Sequence, residues 1–181
     1  MNSKEKNEIA DSRGIARALE GIAKEMLGNH PRLEEVVLIG IRTRGVHLAE
    51  RLKKLLKSDS GFEATSGIID ITLYRDDLTS VGPQPVVNKT IIPFNITGKK
   101  IILVDDVFYT GRTMRAALEE LMDFGRPSLV EIAVLVDRGR RELPIHPDYT
   151  GLKLETLESE TVRVNIEEAD SSEEILVAEK A

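Results

Sequence analysis

The sequence predicts an α/β fold with a mostly parallel, twisted sheet that is flanked by helices. Residues 36–41, 101–104 and 129–136 are runs of aliphatic and β-branched side chains with almost no polar interruption, which is typical of strands buried on both faces. Segments with the helical period of apolar residues lie between these runs. Strands that alternate with helices form βαβ units with right-handed crossovers, so the sheet should be largely parallel.

Composition limits the possible classes of function. The 181 residues include no Cys, which excludes a disulfide framework, a thiol nucleophile and a Cys-based zinc site. No apolar run approaches the length of a membrane span, and residues 1–10 lack the apolar core of a signal peptide, so we expect a cytoplasmic protein. Residues 155–181 carry nine acidic side chains against two basic ones, which more than accounts for the net charge of -6. The acidic total therefore does not exclude a locally basic surface.

The remaining elements are predicted in chain order. A first helix should run from Ser12, as its N-cap, to about Leu27. The strand at 36–41 leads through a basic turn into a second, leucine-rich helix, and residues 68–73 form a weaker strand. A small cap over the sheet edge, which we call the hood, is expected from the weaker strands 152–157, 162–166 and 174–177.

The most informative stretch is 101–113, where a buried strand leads to Asp105 and Asp106 and then to a helix expected over Thr113–Phe124. A helix N-terminus offers unpaired N–H groups and positive dipole charge, and Gly111 lets the backbone approach a ligand closely. The stretch therefore predicts an anion cradle beside two carboxylates, at the sheet edge where α/β folds bind ligands. A ribose phosphate satisfies both, with its phosphate in the cradle and its hydroxyls facing the carboxylates.

Two other loops fit the same site. The turn after strand 36–41 contains Arg42, Thr43 and Arg44 before a helix, which predicts either a second anion site of the same design or a solvated basic turn. Residues 78–90 contain Gly and Pro and lack periodicity, as expected for a functional lid or a disordered loop. Arg75, just before this segment, is the best candidate for a contact from the lid.

Residues 101–113 resemble the phosphoribosyl-diphosphate (PRPP) motif of the type I phosphoribosyltransferases. The resemblance implies that fold for a single domain of residues 1–181, with a lid at about 76–90, a hood at about 137–181 and Mg²⁺ as cofactor. It implies a diphosphate loop, often with a non-proline cis peptide, at 42–44. It also implies catalytic roles for Asp105, Asp106 and Arg44, with the two carboxylates near the metal, directly or through water. The implied PRPP contacts are Asp105, Asp106, Tyr109, Thr110, Gly111, Arg112 and Thr113, and the diphosphate contacts are Arg42, Thr43, Arg44 and Arg75.

The order of motifs along the chain narrows the resemblance. The diphosphate loop, residues 70–77, the PRPP motif, residues 136–144 and Asp148-Tyr149 occur in the same order as in the bacterial bifunctional pyrimidine-operon attenuation regulator/uracil phosphoribosyltransferase family, which they closely resemble. This resemblance implies that uracil and PRPP give UMP and diphosphate. It also implies a homodimer or higher homo-oligomer. The base-binding residues would be Val136, Asp137 and Arg138.

The same family implies a second function, the UMP-dependent binding of leader mRNA. The corresponding surface would include Lys24, Arg141 and His146. Glu20, Gly21 and Leu152 depart from the hydroxyl, His and basic side chains of RNA-regulating members, so we expect weak or altered RNA binding. Two alternatives stay open at the level of the sequence. The chain could be mainly an RNA-binding regulator with vestigial enzyme activity, or a purine-specific phosphoribosyltransferase.

Overall fold

The structure, a computed structural model, describes residues 6–72 and 89–180. The strands are β1 (Lys6–Asp11), β2 (Val36–Ile41), β3 (Thr65–Ile69), β4 (Lys100–Phe108), β5 (Leu129–Asp137), β6 (Tyr149–Lys153), β7 (Glu160–Asn165) and β8 (Glu174–Glu179). The α-helices are α1 (Ser12–Asn29), α2 (Arg44–Ser60), α3 (Arg112–Met122) and α4 (Glu167–Asp170).

The central sheet has five strands in the order β3-β2-β4-β5-β6, and every neighbouring pair is parallel. All six residues of β2 are buried, because helices cover both faces of the sheet. Alternate side chains such as Leu38 and Ile102 pack with α1 and α2, whereas Ile39 and Leu103 pack with α3 on the other face. The predicted parallel sheet flanked by helices is confirmed.

A second sheet, the hood sheet, is antiparallel and has the order β1-β8-β7. Its strands β7 and β8 were predicted from the sequence. Its strand β1 was not, because the exposed side chains of 7–9 give no apolar pattern and backbone pairing with β8 defines the strand. The prediction of a hood strand at 152–157 is wrong, since β6 takes Leu152 into the edge of the central sheet, parallel to β5.

Several predicted element boundaries shift in the structure. The N-cap of α1 is Asp11 instead of Ser12, and its carboxylate accepts a hydrogen bond of 2.8 Å from the Gly14 N–H. Helix α3 begins at Arg112, one residue before the predicted start, and ends at Met122, two residues before the predicted end. Strand β4 continues through Asp105 and Asp106, because its pairing with β5 extends to Phe108. Among the described helices, none is long and apolar enough to cross a membrane.

Candidate active site

Three connecting segments meet at the carboxyl edge of the central sheet. They follow β2, β4 and β5, which are adjacent in the sheet, so their first residues are brought together by strand register. Gly40 of β2 lies opposite Val104 of β4, and Phe108 of β4 lies opposite Asp137 of β5. This is the edge at which open α/β sheets bind ligands. The predicted cradle, carboxylates and basic loop therefore lie in one region.

The anion cradle follows β4 and is shaped by Gly111, the N-cap of α3, which has a φ of 95°. This left-handed conformation favours glycine, and a Cβ at this position would lie 3.3 Å from the Leu143 Cβ. A small cavity of about 90 Å³ adjoins the turn. It is lined by Val107, Phe108, Tyr109, Thr110, Gly111, Thr113 and Met114. The N-terminus of α3 thus borders a cavity, with Tyr109, Thr110, Gly111 and Thr113 on its wall.

The side chain of Arg112 is paired with Glu142 and does not line this cavity. Its Nε donates to Glu142 Oε2 at 2.6 Å, and both side chains are about half exposed. The backbone N–H of Arg112 stays in the turn and lies 3.3 Å from Thr110 Oγ1. Arg112 can therefore contribute to the cradle through its main chain.

The two carboxylates lie beside the cradle. Asp105 is buried, and its Oδ1 accepts a 2.9 Å hydrogen bond from the Asp106 N–H. Asp106 is partly exposed, and its Oδ1 accepts a 2.9 Å hydrogen bond from the Val107 N–H. Its other oxygen lies 3.9 Å from Arg44 Nη1. Both carboxylates thus accept hydrogen bonds from backbone N–H groups of their own strand, β4.

These carboxylates suit Mg²⁺ only as part of a larger coordination shell. Within residues 6–72 and 89–180, no three His, Cys, Asp or Glu side chains are grouped closely enough to hold a metal ion by themselves. Mg²⁺ is commonly held by one or two carboxylates together with waters and substrate phosphates. Asp105 and Asp106 match the carboxylate part of such a shell.

The basic loop, residues 42–44, and the start of α2 pack closely against β4, the strand that carries the carboxylates. A Cβ on Gly45 would lie 2.3 Å from the Val104 carbonyl oxygen and 3.2 Å from the Asp105 Cα. A Cβ on Gly40 would lie 2.4 Å from the Val46 Cα. Both positions therefore need glycine, because no side chain fits between α2 and the sheet. The absence of these side chains brings the start of α2 next to the carboxylates.

Within the loop, the Arg42–Thr43 peptide is cis, as the family resemblance implied. Arg42 Nη2 donates to the Lys89 carbonyl at 3.3 Å, and its Nε lies 3.9 Å from Asp70 Oδ2. Thr43 is exposed. Arg75 and most of the expected lid lie outside the described residues, so the structure adds nothing on that prediction.

Arg44 has a partner that the sequence analysis missed. Its Nε and Nη2 donate to the two carboxylate oxygens of Asp170, in α4, at 2.8 and 2.7 Å. This charged hydrogen bond raises the pKa of Arg44 and lowers the pKa of Asp170 below its ordinary value. A second arginine of α2, Arg51, binds Glu168 and Glu173 of the same segment. Arg44 and Arg51 are seven residues apart and so share a helix face, which was the available clue in the sequence.

The segment predicted to bind the base, which begins at Val136, is held by hydrogen bonds between its own residues. The Asp137 carboxylate accepts from Arg141 Nη2 at 2.6 Å and from the Gly139 N–H at 2.9 Å. Burial alone would raise the pKa of Asp137, but these hydrogen bonds hold it below its ordinary value. Val136 is fully buried within β5. Asp137 thus stays ionised and fixes the loop that follows it.

The Arg138 side chain is held by partners within the protein. Its guanidinium is buried, donates to Thr156 Oγ1 at 3.1 Å and to the Glu160 carbonyl at 2.8 Å, and stacks 4.1 Å from the Tyr109 ring centroid. Its N–H donates to the Phe108 carbonyl at 3.1 Å. Burial lowers the pKa of Arg138, and the electrostatic effect of Tyr109 opposes this shift in part. Arg138 therefore connects Phe108 and Tyr109 to Thr156 and the start of β7.

The three residues expected to contact RNA differ in their availability. Lys24 on α1 and His146 are exposed. Arg141 donates to Asp137 and to the carbonyls of Tyr109 and Gly139, and it stacks 4.2 Å from the Phe108 ring centroid. Its guanidinium is thus committed to the loop that borders the candidate site.

Comparison with known proteins places this geometry in a family. The model of the phosphoribosyl transferase domain family matches residues 5–169. The chain is 50% identical over 179 residues to the bifunctional protein PyrR of Pelotomaculum thermopropionicum, covering 99% of each chain. It is 48% identical over 175 residues to the bifunctional protein PyrR of Thermus aquaticus, covering 97% of each.

Solved structures support the fold independently. A hypoxanthine phosphoribosyl transferase of Trypanosoma cruzi superposes with a TM-score of 0.74 at 17% identity, covering 99% of this chain and 94% of that one. A hypoxanthine phosphoribosyltransferase of Staphylococcus aureus gives 0.71 at 19% identity, covering 99% and 98%. At these identities the likeness concerns the fold alone, and it confirms the type I phosphoribosyltransferase fold predicted from residues 101–113. The chain therefore belongs to the phosphoribosyl transferase domain family and, within it, to the bifunctional PyrR proteins.

Proposed function

We propose that this chain is a uracil phosphoribosyltransferase that makes UMP and diphosphate from uracil and PRPP. The observation that carries the proposal is the convergence of three groups on one sheet edge: the cradle at Gly111, the carboxylates of Asp105 and Asp106, and the basic loop at 42–44. PRPP has three parts to bind. The cradle would take the 5′-phosphate, the carboxylates would face the two ribose hydroxyls, and the basic loop would hold the diphosphate. The family membership supports the same reaction.

Acidic and basic residues of the site would stabilise opposite charges that develop during the reaction. The bond between ribose C1 and the diphosphate oxygen breaks as uracil N1 bonds to C1 and releases its proton. Positive charge grows on the sugar, which faces Asp105 and Asp106, and negative charge grows on the diphosphate, which faces Arg42 and Arg44. Charges that are fixed before the reaction stabilise such a transition state without reorganisation. Holding uracil in line with C1 supplies much of the remaining acceleration.

Mg²⁺ belongs to this proposal as the cofactor that neutralises part of the charge of the bound diphosphate. Asp105 and Asp106 would hold it, directly or through water. We expect removal of Mg²⁺ with a chelator to weaken PRPP binding, as measured by calorimetry, and re-addition of the ion to restore it. PRPP binding of equal affinity with and without the ion would contradict this role.

The choice of uracil over a purine rests on family resemblance. The relatives at about half identity are bifunctional PyrR proteins, whereas the structures named for hypoxanthine are below one fifth identity. The test is the initial rate of nucleotide formation from PRPP with uracil, hypoxanthine or orotate. We expect UMP from uracil and no product from the other two bases. Product from hypoxanthine alone would favour the purine alternative.

The second proposed function is that of a UMP-sensing regulator that binds leader mRNA. Exposed Lys24 and His146 support it, but exposed Glu20 on α1 would repel a phosphate, and Arg141 is hydrogen-bonded to Asp137. Gly21 on the same helix has no side chain to offer. We therefore expect weak, strongly salt-dependent binding to a pyrimidine-operon leader stem-loop. Nanomolar binding stimulated by UMP would contradict this expectation.

Three further expectations complete the proposal. Residues 1–181 would form one domain with a lid at about 76–90 and a hood at about 137–181, to which β1 adds a strand. The protein would act in the cytoplasm. It would assemble as a homodimer or higher homo-oligomer, which sedimentation of the full chain would test.

A further inference from the structure

We propose that Asp170 is a positioning residue, which holds the Arg44 guanidinium in place to receive the diphosphate of PRPP. The inference rests on the proposed function. It assigns a role to the acidic end of the chain, from which the sequence analysis drew no function. Asp170 lies in α4, a four-residue helix between β7 and β8, and it does not line the cavity of the cradle.

The geometry is that of a two-point clamp. Arg44 Nε and Nη2 meet Asp170 Oδ2 and Oδ1 at 2.8 and 2.7 Å, so both oxygens of the carboxylate are used. Asp170 Oδ2 also accepts from the Ile166 N–H at 3.0 Å, which fixes the carboxylate to its own helix. Two parallel bonds define the plane and direction of a guanidinium, which a single contact does not.

The remaining nitrogen of Arg44 faces the candidate site. Its Nη1 lies 3.9 Å from Asp106 Oδ2, which is too long for a hydrogen bond but leaves the two groups as neighbours. Without Asp170, we expect Arg44 to close onto Asp106 and pair with it. That pairing would neutralise a carboxylate on the sugar side and withdraw a cation from the diphosphate side. Asp170 thus keeps the two charges separate.

A second clamp keeps the hood in place independently of Asp170. Arg51 of α2 donates to both carboxylate oxygens of Glu168 and of Glu173, at distances between 2.6 and 3.2 Å. The segment that carries Asp170 is therefore attached to α2 through Arg51 as well. Loss of the Asp170 charge should change the orientation of Arg44 while α4 stays docked.

The first test is Asp170→Asn in the full chain. The Asn oxygen can still accept from the Ile166 N–H, but the amide NH₂ then faces Arg44 Nη2, donor against donor, and the clamp is lost. We expect PRPP and inorganic diphosphate to bind about tenfold more weakly by calorimetry, which corresponds to about 1.4 kcal/mol. The KM for uracil should stay unchanged. The matched control is Glu168→Gln, which removes a carboxylate from the same helix but only from the Arg51 clamp, and it should bind PRPP like the wild type.

A double-mutant cycle separates positioning from a general structural effect. If Asp170 acts through Arg44, Asp170→Asn should have no further effect on PRPP affinity in an Arg44→Gln background. Arg44→Lys tests the pair from the other side, because an ammonium cannot form the two-point clamp. It should weaken PRPP binding even if Asp170→Asn does not fold.

The possible outcomes distinguish the inference from the proposed function. Wild-type protein that binds no PRPP would overturn the proposed function and the inference with it. Wild-type protein that binds PRPP, with Asp170→Asn or Arg44→Lys binding equally well, would overturn the inference alone. Equal losses in Asp170→Asn and Glu168→Gln, or additive effects in the cycle, would overturn it as well.

Discussion

At the scale of single residues, Gly45 sets the distance between α2 and the strand that carries the carboxylates. A Cβ there would lie 2.3 Å from the Val104 carbonyl oxygen, so Gly45→Ala must move either α2 or β4. We expect a loss of about 1–3 kcal/mol in the free energy of unfolding, together with weaker PRPP binding. Urea unfolding and calorimetry measure the two effects.

Gly21 provides the matched control for that substitution. It lies within α1, and a Cβ there would meet nothing within 4 Å. Gly21→Ala should therefore stabilise the protein by about 0.5–1 kcal/mol, since alanine restricts the unfolded chain and favours a helix. A loss of stability in Gly21→Ala, or none in Gly45→Ala, would show that the packing at these two positions is not as described.

A buried hydroxyl at the other end of the sheet should affect stability alone. The Tyr149 OH lies 3.0 Å from His30 Nε2 and 3.2 Å from Glu131 Oε2, and burial raises the pKa of Tyr149 to about 12. His30 keeps its 2.6 Å contact with Glu131, so Tyr149→Phe should cost about 1 kcal/mol of unfolding free energy. PRPP affinity should not change, because Tyr149 begins β6 and is bonded to His30 and Glu131, which are not part of the candidate site. A selective loss of affinity would contradict this.

At the scale of elements, the attachment of α4 to α2 should depend on pH. Hydrogen bonds from Arg51 lower the pKa of Glu168 to about 2, well below the ordinary value of about 4.3. The ion pair of a carboxylate with a lowered pKa stabilises the fold fully when the pH is above the ordinary pKa. This stabilisation is lost as the pH falls towards 2. Arg51→Gln should thus be less stable than the wild type at pH 7, by about 0.5–1 kcal/mol.

When the pH is lowered from about 4 to 2, the unfolding free energy of Arg51→Gln should fall by less than that of the wild type. Urea unfolding at a series of pH values measures both effects. Lys54→Gln is the control, since it removes a positive charge from an exposed position of the same helix and should leave the wild-type pH dependence. Equal pH profiles for wild type and Arg51→Gln would contradict the assignment of this clamp.

The elements also show what sequence patterns can predict. Strands β2, β4 and β5 follow from their apolar runs, because a strand buried on both faces needs apolar side chains at every position. The cradle follows from Gly111 and the helix after it, since these are local features. Strand β1 escaped prediction because its pairing partner is β8, near the other end of the chain. The Arg44–Asp170 pair escaped for the same reason, since 126 positions separate its members.

At the scale of the whole molecule, the uneven charge has a structural explanation. Three acidic side chains of the C-terminal region, Glu168, Asp170 and Glu173, lie against Arg44 and Arg51 of α2. These three side chains thus neutralise basic groups of the helix that begins at the candidate site. This arrangement ties the hood to the helix that begins at the diphosphate loop. It links the two sheets of the fold at the point where the ligand is proposed to bind.

The central claim is that Asp105 and Asp106, beside the cradle, form the site of phosphoribosyl transfer to uracil. The most direct measurement is the initial rate of UMP formation from uracil and PRPP with Mg²⁺, in wild type and in Asp105→Asn/Asp106→Asn. We predict UMP formation by the wild type and a rate at least about a hundredfold lower in the double variant, with the fold retained. A double variant as active as the wild type would contradict the account.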